Sequence, residues 1–334
     1  MKFLCIGSGS IGKRHMRNLL SIGFDPSDIV AVDPREDRLR EVKDLGISTV
    51  YSSFEKAINS GTYDAAIVCS PTSMHIDQGI ELANRGVHML MEKPLAHNLE
   101  GINELKSAIS NKKVTLLMAY IFRFSPLTKK VKELLNSGAI GKVLYIRGEF
   151  SEYLPDWHPY EDYRSYYMAE KEQGGGSILD QSHIMDMVHH LFGSFDTVFA
   201  LNGNLSELEV NSDDYSELAI RLKNGIIASI HTDIFGRDHK KQLEIKGESG
   251  NILWNPTENL VSYYNAEEKV KYQYNKFSND FNLNYIEELN HFISCIQGKE
   301  VPLASLEDGI ETMELILSAY ESVKTGSTVK VKQY

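Results

Sequence analysis

A doubly wound parallel α/β sheet over residues 1–121, followed by a second α/β domain with a large, mostly antiparallel open sheet over 122–334, is the fold this chain predicts. Three observations predict it. A glycine-rich loop follows a short apolar run near the start, strand-length apolar runs alternate with helical patterns to about residue 120, and longer strand-like stretches with turn residues between them come after.

Residues 2–6 make an apolar run of strand length, and residues 7–12 a tight loop. Residues 11–22 carry Met16, Leu19 and Leu20 at helical spacing, with Gly23 as the stop. The run 29–32 gives a second strand ending at Asp33, and 65–69, 87–91 and 114–119 continue the series. Strands and helical segments in alternation argue for a parallel sheet with helices on both faces. Beyond residue 122 the texture changes. Residues 125–136 read as a crossover helix stopped by Gly138, and strand-like stretches follow at 143–150, 217–222, 226–234 and 243–246. Lys223-Asn224-Gly225 and Gly236-Arg237-Asp238, which separate the last three, read as hairpin punctuation for antiparallel pairing. Helical patterns over 284–297 and 306–324 would cover a sheet face or dock against the first domain.

Composition narrows the function classes. The chain has 334 residues, 42% hydrophobic and 24% charged, with a formal net charge of -11. No Lys/Arg block makes a phosphate-tracking stripe, which argues against a nucleic-acid partner. No stretch approaches the roughly 20 apolar residues that span a bilayer, and residues 1–12 run into the glycine loop without a signal-peptide pattern. Three widely spaced cysteines, Cys5, Cys69 and Cys295, suggest neither a disulfide framework nor a zinc ribbon, so the reducing cytoplasm is the expected compartment and no metal is expected.

Gly7-Ser8-Gly9-Ser10-Ile11-Gly12 fits G-x-G-x-x-G between a strand and a helix, the context that gives the pattern meaning. Backbone N–H groups and a helix N-terminus there hold a pyrophosphate without a lysine. Asp33, about 20 residues on, is placed to accept hydrogen bonds from the adenosine ribose, which favours NAD; Arg35 nearby keeps NADP possible. Gly7, Gly9, Ser10, Ile11, Gly12, Asp33 and Arg35, together with Ser70, Pro71, His75, Glu92 and Lys93 near later strand ends, are the expected cofactor contacts.

Lys93, in Met91-Glu92-Lys93-Pro94, ends a strand on the edge of the sheet where doubly wound folds bind ligands. A lysine beside a nicotinamide, partly desolvated, takes or gives a hydroxyl proton as hydride moves; alone, a strand-end lysine is usually a solvated charge. The run 174–186, read as a helix that starts near its three glycines, places Asp180, His183 and Asp186 within reach of a common side. That cluster has three readings: packing and caps, a metal site from His183, Asp186 and His190, or substrate positioning and proton relay.

Gly7-x-Gly9-x-x-Gly12-x-x-His15, Glu92-Lys93-Pro94, Arg123-Phe124-x-Pro126, the Gly-Gly-Gly-x-x-x-Asp-x-x-His run and Lys246-Gly247-Glu248-Ser249-Gly250 together resemble the Gfo/Idh/MocA oxidoreductases, over nearly the whole chain. The resemblance implies a Rossmann domain, a C-terminal α/β domain whose open sheet often joins subunits into a homo-oligomer, dimer or tetramer, and redox chemistry at a sugar or cyclitol carbinol. It also implies Lys93 as catalytic acid/base with Asp180 and His183 beside it, and a cis Lys93-Pro94 bond. Here Asp180 precedes His183 by three residues, where many members have four.

Residues 153–167 crowd Tyr153, Trp157, Tyr160 and Arg164 into one loop, which is either a wall for sugar rings or a loop packed by its own aromatics. It is similar to loops of family members linked to bacterial surface polysaccharide biosynthesis, so a sugar or nucleotide sugar is the expected small-molecule partner. Lys93, Asp180, His183, Tyr153, Trp157 and Tyr160 are the expected substrate contacts, with Arg123 and Arg164 for an anionic group. Two rivals remain: a non-catalytic NAD(P)-binding regulator, and a redox-assisted glycosidase of the same fold.

Overall fold

The computed structural model describes residues 1–157, 159 and 161–333. The chain divides into two compact units, Met1–Ile121 with Asn282–Leu306, and Phe122–Phe281 with Glu307–Tyr334. Among the described residues, no helix is long and apolar enough to cross a membrane.

The first unit holds six parallel strands, β1 (Phe3–Ile6), β2 (Ile29–Val32), β3 (Val50–Tyr51), β4 (Ala65–Val68), β5 (His88–Met91) and β6 (Leu116–Met118), in the order β3-β2-β1-β4-β5-β6. Every residue of β1, β2 and β4 is buried. Strands apolar on both faces need helices on both sides, and α1 (Ser10–Ser21), α2 (Glu36–Asp44), α3 (Phe54–Ile58), α4 (His75–Asn84) and α5 (Ile102–Lys112) follow strands β1 to β5 in turn. Strand order reverses between β1 and β4, so the loops leaving their carboxyl ends open a crevice there.

Residues 282–306, expected in the second domain, belong to the first unit. The helix Asn282–Ile296 buries Asn284, Glu288, Leu289, Phe292 and Cys295 and packs on α1, and the Ala304 carbonyl accepts the Met118 N–H at 2.9 Å. An apolar stripe says that a helix is covered, not by what. Sequence distance hid the answer.

The second unit begins with the helix α6 (Pro126–Asn136), started by Pro126 at its first turn and by Ser125, whose hydroxyl accepts the Leu127 N–H. Among the described residues its sheet has nine strands: β7 (Val143–Tyr153), β8 (Phe195–Gly203), β9 (Tyr215–Leu222), β10 (Ile227–Asp233), β11 (Phe235–Gly247), β12 (Gly250–Asn255), β13 (Leu260–Asn265), β14 (Val270–Tyr274) and β15 (Val329–Lys330). They run in the order β14-β13-β12-β11-β7-β10-β9-β8-β15, antiparallel except for the β7–β10 pair. The turn at Asn224-Gly225 joins β9 to β10 as expected. Gly236-Arg237-Asp238 makes no hairpin. It lies inside β11, and β7 comes between β10 and β11 to pair with both. The Asp233 carboxylate turns the chain by accepting the N–H groups of Phe235 and Gly236 at 3.1 and 2.6 Å.

Alternation along β9 buries Ser216, Leu218, Ile220 and Leu222 and leaves Glu217, Ala219 and Arg221 exposed. On that outer face His231 of β10 is held between Glu217 at 2.7 Å and Asp233 at 2.8 Å. Hydrogen bonds to Asp233 and then Glu217 push its pKa up to about 9, against the opposing effect of burial. The folded value lies above the unfolded value of about 6.5. The resulting stabilisation is complete below about pH 6.5 and is lost as pH rises through about 9. His231→Gln is therefore expected to lower Tm by roughly 2–4 °C near pH 6, with the gap to wild type closing by about pH 10. Thermal melts across that range check it, and a constant gap would assign the loss to packing.

Candidate active site

The glycine loop forms because backbone passes too close to backbone for any side chain. A Cβ on Gly7, whose φ is +91°, would stand 2.3 Å from the Cys69 carbonyl oxygen, and one on Gly12 would stand 2.0 Å from the Gly7 carbonyl oxygen. Gly9, which begins α1, would bring its Cβ no nearer than 3.8 Å to any group, the Arg38 Nη1. The first and third glycines are thus required by packing, and the second leaves space. Ser10 and Ile11 form the first turn of α1, where N–H groups lack helical partners. This cradle suits a pyrophosphate.

Asp33, 2% exposed at the end of β2, accepts the Ser8 N–H at 2.7 Å and the Arg35 N–H at 2.9 Å. It therefore stiffens the loop as well as presenting its carboxylate. The Arg35 guanidinium turns to Asp37. Arg38, which sequence reasoning passed over, lies 3.7 Å from the Asp33 carboxylate, near Gly9. Its signal was weak: one of two arginines on a charged helix.

Ser70 and Pro71 follow β4, and the Ser70 hydroxyl donates to Gln78 at 2.7 Å. Both His75 ring nitrogens face backbone carbonyls, Pro94 at 3.0 Å and Ser70 at 2.9 Å, and the residue is 1% exposed. The ring thus lies between the turn that follows β4 and the turn that follows β5. Glu92 accepts the Lys93 N–H at 3.2 Å and faces His15 Nε2 at 3.0 Å. Lys93 thus stands just past β5, before a cis peptide bond to Pro94, on the same carboxyl edge as the glycine loop. Beneath it, His15, Cys69 and Glu92 bring their donor atoms within 4.8 Å of one another. Burial pushes the Cys69 thiol well up, which keeps its proton on. Also missed was Glu288, fully buried on the helix Asn282–Ile296, whose carboxyl is pushed well up by burial and by Glu92.

In the second unit, the run 174–186 is not one helix. The helix α7 (Ser177–Asp180) stops, and α8 (His183–Phe192) starts after Gln181 and Ser182. Gln181 fixes the break by donating to the Asp233 carbonyl at 2.7 Å. The break sets Asp180 and His183 at adjoining helix ends, so their three-residue spacing carries no helical phase. Asp180, 7% exposed, accepts the Tyr167 hydroxyl at 2.7 Å, and the His183 ring meets Phe122 edge-on at 5.1 Å. Tyr167 sits in the aromatic loop, where nothing in the sequence singles it out.

Asp186 faces elsewhere. Arg123, 3% exposed, donates to Asp186 at 2.6 Å and to Asp308 at 3.0 Å. Burial works against the guanidinium charge, and the two aspartates more than offset it. The expectation that Arg123 meets an anionic ligand is corrected by this buried pairing. The metal reading fails too, because Asp186 is held by Arg123, and burial, then Arg123, push His190 down to about 3. Arg164, half exposed, shares its charge between Asp162 and Glu209. Trp157, Tyr163, Tyr166 and Tyr167 pack on Leu154, Met168 and Ile234, and the Arg237 guanidinium covers the Tyr153 ring at 3.6 Å. The aromatic loop is packed in part by itself. Tyr160 lies outside the described residues.

Residues 1–120 match the family model described as "Oxidoreductase family, NAD-binding Rossmann fold", and residues 132–331 match "Oxidoreductase family, C-terminal alpha/beta domain". The chain is 30% identical over 346 residues to a myo-inositol 2-dehydrogenase of Thermotoga maritima, covering 100% of this chain and 99% of that one. It is 26% identical over 336 residues to D-xylose 1-dehydrogenase (NADP(+)) 2 of Haloferax volcanii, covering 99% and 100%. Its fold matches a levoglucosan dehydrogenase in complex with NADH and levoglucosan at TM-score 0.87, with 22% identity and full coverage of both chains. It also matches the WlbA dehydrogenase of Bordetella pertussis in complex with NADH and UDP-GlcNAcA, at TM-score 0.86 with 20% identity over 100% and 98% of the two chains.

Arg123→Met, which strands Asp186 as an uncompensated buried charge, is expected to cost about 3–5 kcal/mol in denaturant unfolding, whereas Arg164→Met leaves Tm unchanged. A small loss at Arg123 would show the pair to be dispensable. Asp33→Ala is expected to raise the NAD Kd about tenfold or more and the NADP Kd less, and Arg38→Ala to weaken NADP more than NAD. Paired titrations decide this; equal changes for both dinucleotides would remove Asp33 and Arg38 from ribose recognition.

Proposed function

The chain belongs to the Gfo/Idh/MocA family of oxidoreductases, and we propose that it exchanges a hydride between NAD and a carbinol carbon of a sugar or nucleotide sugar, with Lys93 as the acid/base and Asp180 and His183 assisting. The observation that carries this reading is the position of Lys93. It leaves the carboxyl end of β5 on the edge that also bears the glycine loop, and its own N–H is tied to the Glu92 carboxylate. The cradle at Gly7, Gly9 and Gly12 fits the pyrophosphate of a dinucleotide, which supplies the hydride acceptor when bound. At the carbinol, the lysine amine takes the hydroxyl proton as the C–H bond is broken, and returns it in the reverse direction.

The second unit supplies groups suited to hydroxyls. Asp180 accepts the Tyr167 hydroxyl on one carboxylate oxygen, and the His183 ring meets the edge of Phe122. The relatives support the substrate class, since the names printed for them are dehydrogenases of myo-inositol, D-xylose and levoglucosan, and one solved complex holds UDP-GlcNAcA. All are rich in secondary hydroxyls. Every one presents the kind of carbinol this chemistry needs.

The test is cofactor reduction with a panel of cyclitols, free sugars and nucleotide sugars, repeated with Lys93→Ala. Turnover should fall about a hundred- to ten-thousand-fold while the NAD Kd stays within about threefold. Undiminished activity would remove Lys93 from the chemistry. No reduction across the panel would favour a regulator, and a cleaved glycoside without reduced cofactor the transient-redox route.

A further inference from the structure

Lys93 is flanked on both sides by residues that buried imidazoles hold. Glu92, just before it, faces His15 Nε2 at 3.0 Å through one carboxylate oxygen and accepts the Lys93 N–H at 3.2 Å through the other. Pro94, just after it, presents its carbonyl to His75 Nδ1 at 3.0 Å, while Nε2 of the same ring stands 2.9 Å from the Ser70 carbonyl. His15 is fully buried, and His75 is 1% exposed. His15 rises from α1, which begins at the glycine loop, and His75 opens α4 after the turn that follows β4. We propose that His15 and His75 are positioning residues: a two-sided bracket that fixes the Lys93 turn to the cofactor loop on one side and to the Ser70–Pro71 turn on the other.

The donor inventory supports both halves. His15 Nδ1 has no partner among the described residues, so the proton belongs on Nε2, which donates to the Glu92 carboxylate. Carbonyls only accept. A neutral His75 ring therefore donates to Ser70 or to Pro94, and the imidazolium donates to both. Burial lowers the His75 pKa, while the carbonyls of Ser70, Pro94 and Leu95 and the Glu92 charge resist. The neutral ring with its proton on Nδ1 donates to the Pro94 carbonyl and so ties the Lys93 turn to the start of α4, which follows the Ser70–Pro71 turn in the chain; only the imidazolium donates to the Ser70 carbonyl at the same time. A side chain used in this way governs where its neighbour stands rather than what it binds. Small misplacement of a reacting group costs rate steeply, up to about a hundredfold for 1 Å.

The proposal rests on the reading of Lys93 given above, and the test separates the two. In NAD-saturated enzyme, His75→Ala and His15→Ala should lower kcat about ten- to a hundredfold, with NAD Kd within about threefold of wild type. The pH midpoint of kcat should shift, and amide hydrogen exchange across residues 92–96 should accelerate. His75→Asn and His15→Asn keep a side-chain N–H donor and should recover part of the rate, and they serve if the alanine variants fold poorly. Unchanged exchange over 92–96 in folded variants overturns the bracket. So does a rise in NAD Kd with kcat intact, which would return His75 to the cofactor. If Lys93→Ala itself leaves turnover unchanged, the acid/base reading fails, and hydrogen exchange alone still decides whether the histidines hold the turn.

Discussion

Two backbone segments that meet with no side chain between them set the geometry of the first unit. Gly7 presses on the Cys69 carbonyl and Gly12 on the Gly7 carbonyl, both at distances that no Cβ tolerates. The ends of β1 and β4 are therefore flush at the point where strand order reverses, and α1 starts close enough to the sheet for its His15 to reach Glu92. One steric condition thus serves two ends. It leaves helix N–H groups open for phosphate, and it seats the helix that steadies the lysine turn.

Electrostatics explain why such a loop suits this chain. At a net charge of -11 the molecule offers little general attraction to an anionic dinucleotide. Backbone dipoles attract phosphate without adding cationic side chains, and several arginines are already engaged inside their own units. Arg123 is held by Asp186 and Asp308, Arg35 turns to Asp37, and Arg164 divides between Asp162 and Glu209. Local recognition by N–H groups replaces long-range charge.

Features encoded by neighbours in sequence were legible. The glycine loop, the strand before it, the helix after it and Asp33 fall within about thirty residues, and the alternation of strands and helices to residue 120 follows the same local rule. Features decided by distant partners were not. Arg123 looked like an anion site because its two aspartates lie 63 and 185 residues away. Gly236-Arg237-Asp238 looked like a hairpin because nothing nearby reveals that β7, some eighty residues earlier, claims the place between β10 and β11. His75 was legible only as a residue near a strand end, and the two carbonyls beside its ring are visible only in three dimensions. The break at Gln181 was hidden for the same reason: its anchor is the Asp233 carbonyl, 52 residues on.

The helix Asn282–Ile296 has a consequence for how the molecule comes into being. It covers α1, and the Ala304 carbonyl beyond it accepts the Met118 N–H, yet this segment begins about 160 residues after the rest of its unit ends. A ribosome thus releases the whole parallel sheet long before it releases the piece that seals it. During that interval the nascent unit shows water the apolar flank of its first helix, and it must wait, open, while the second unit is made.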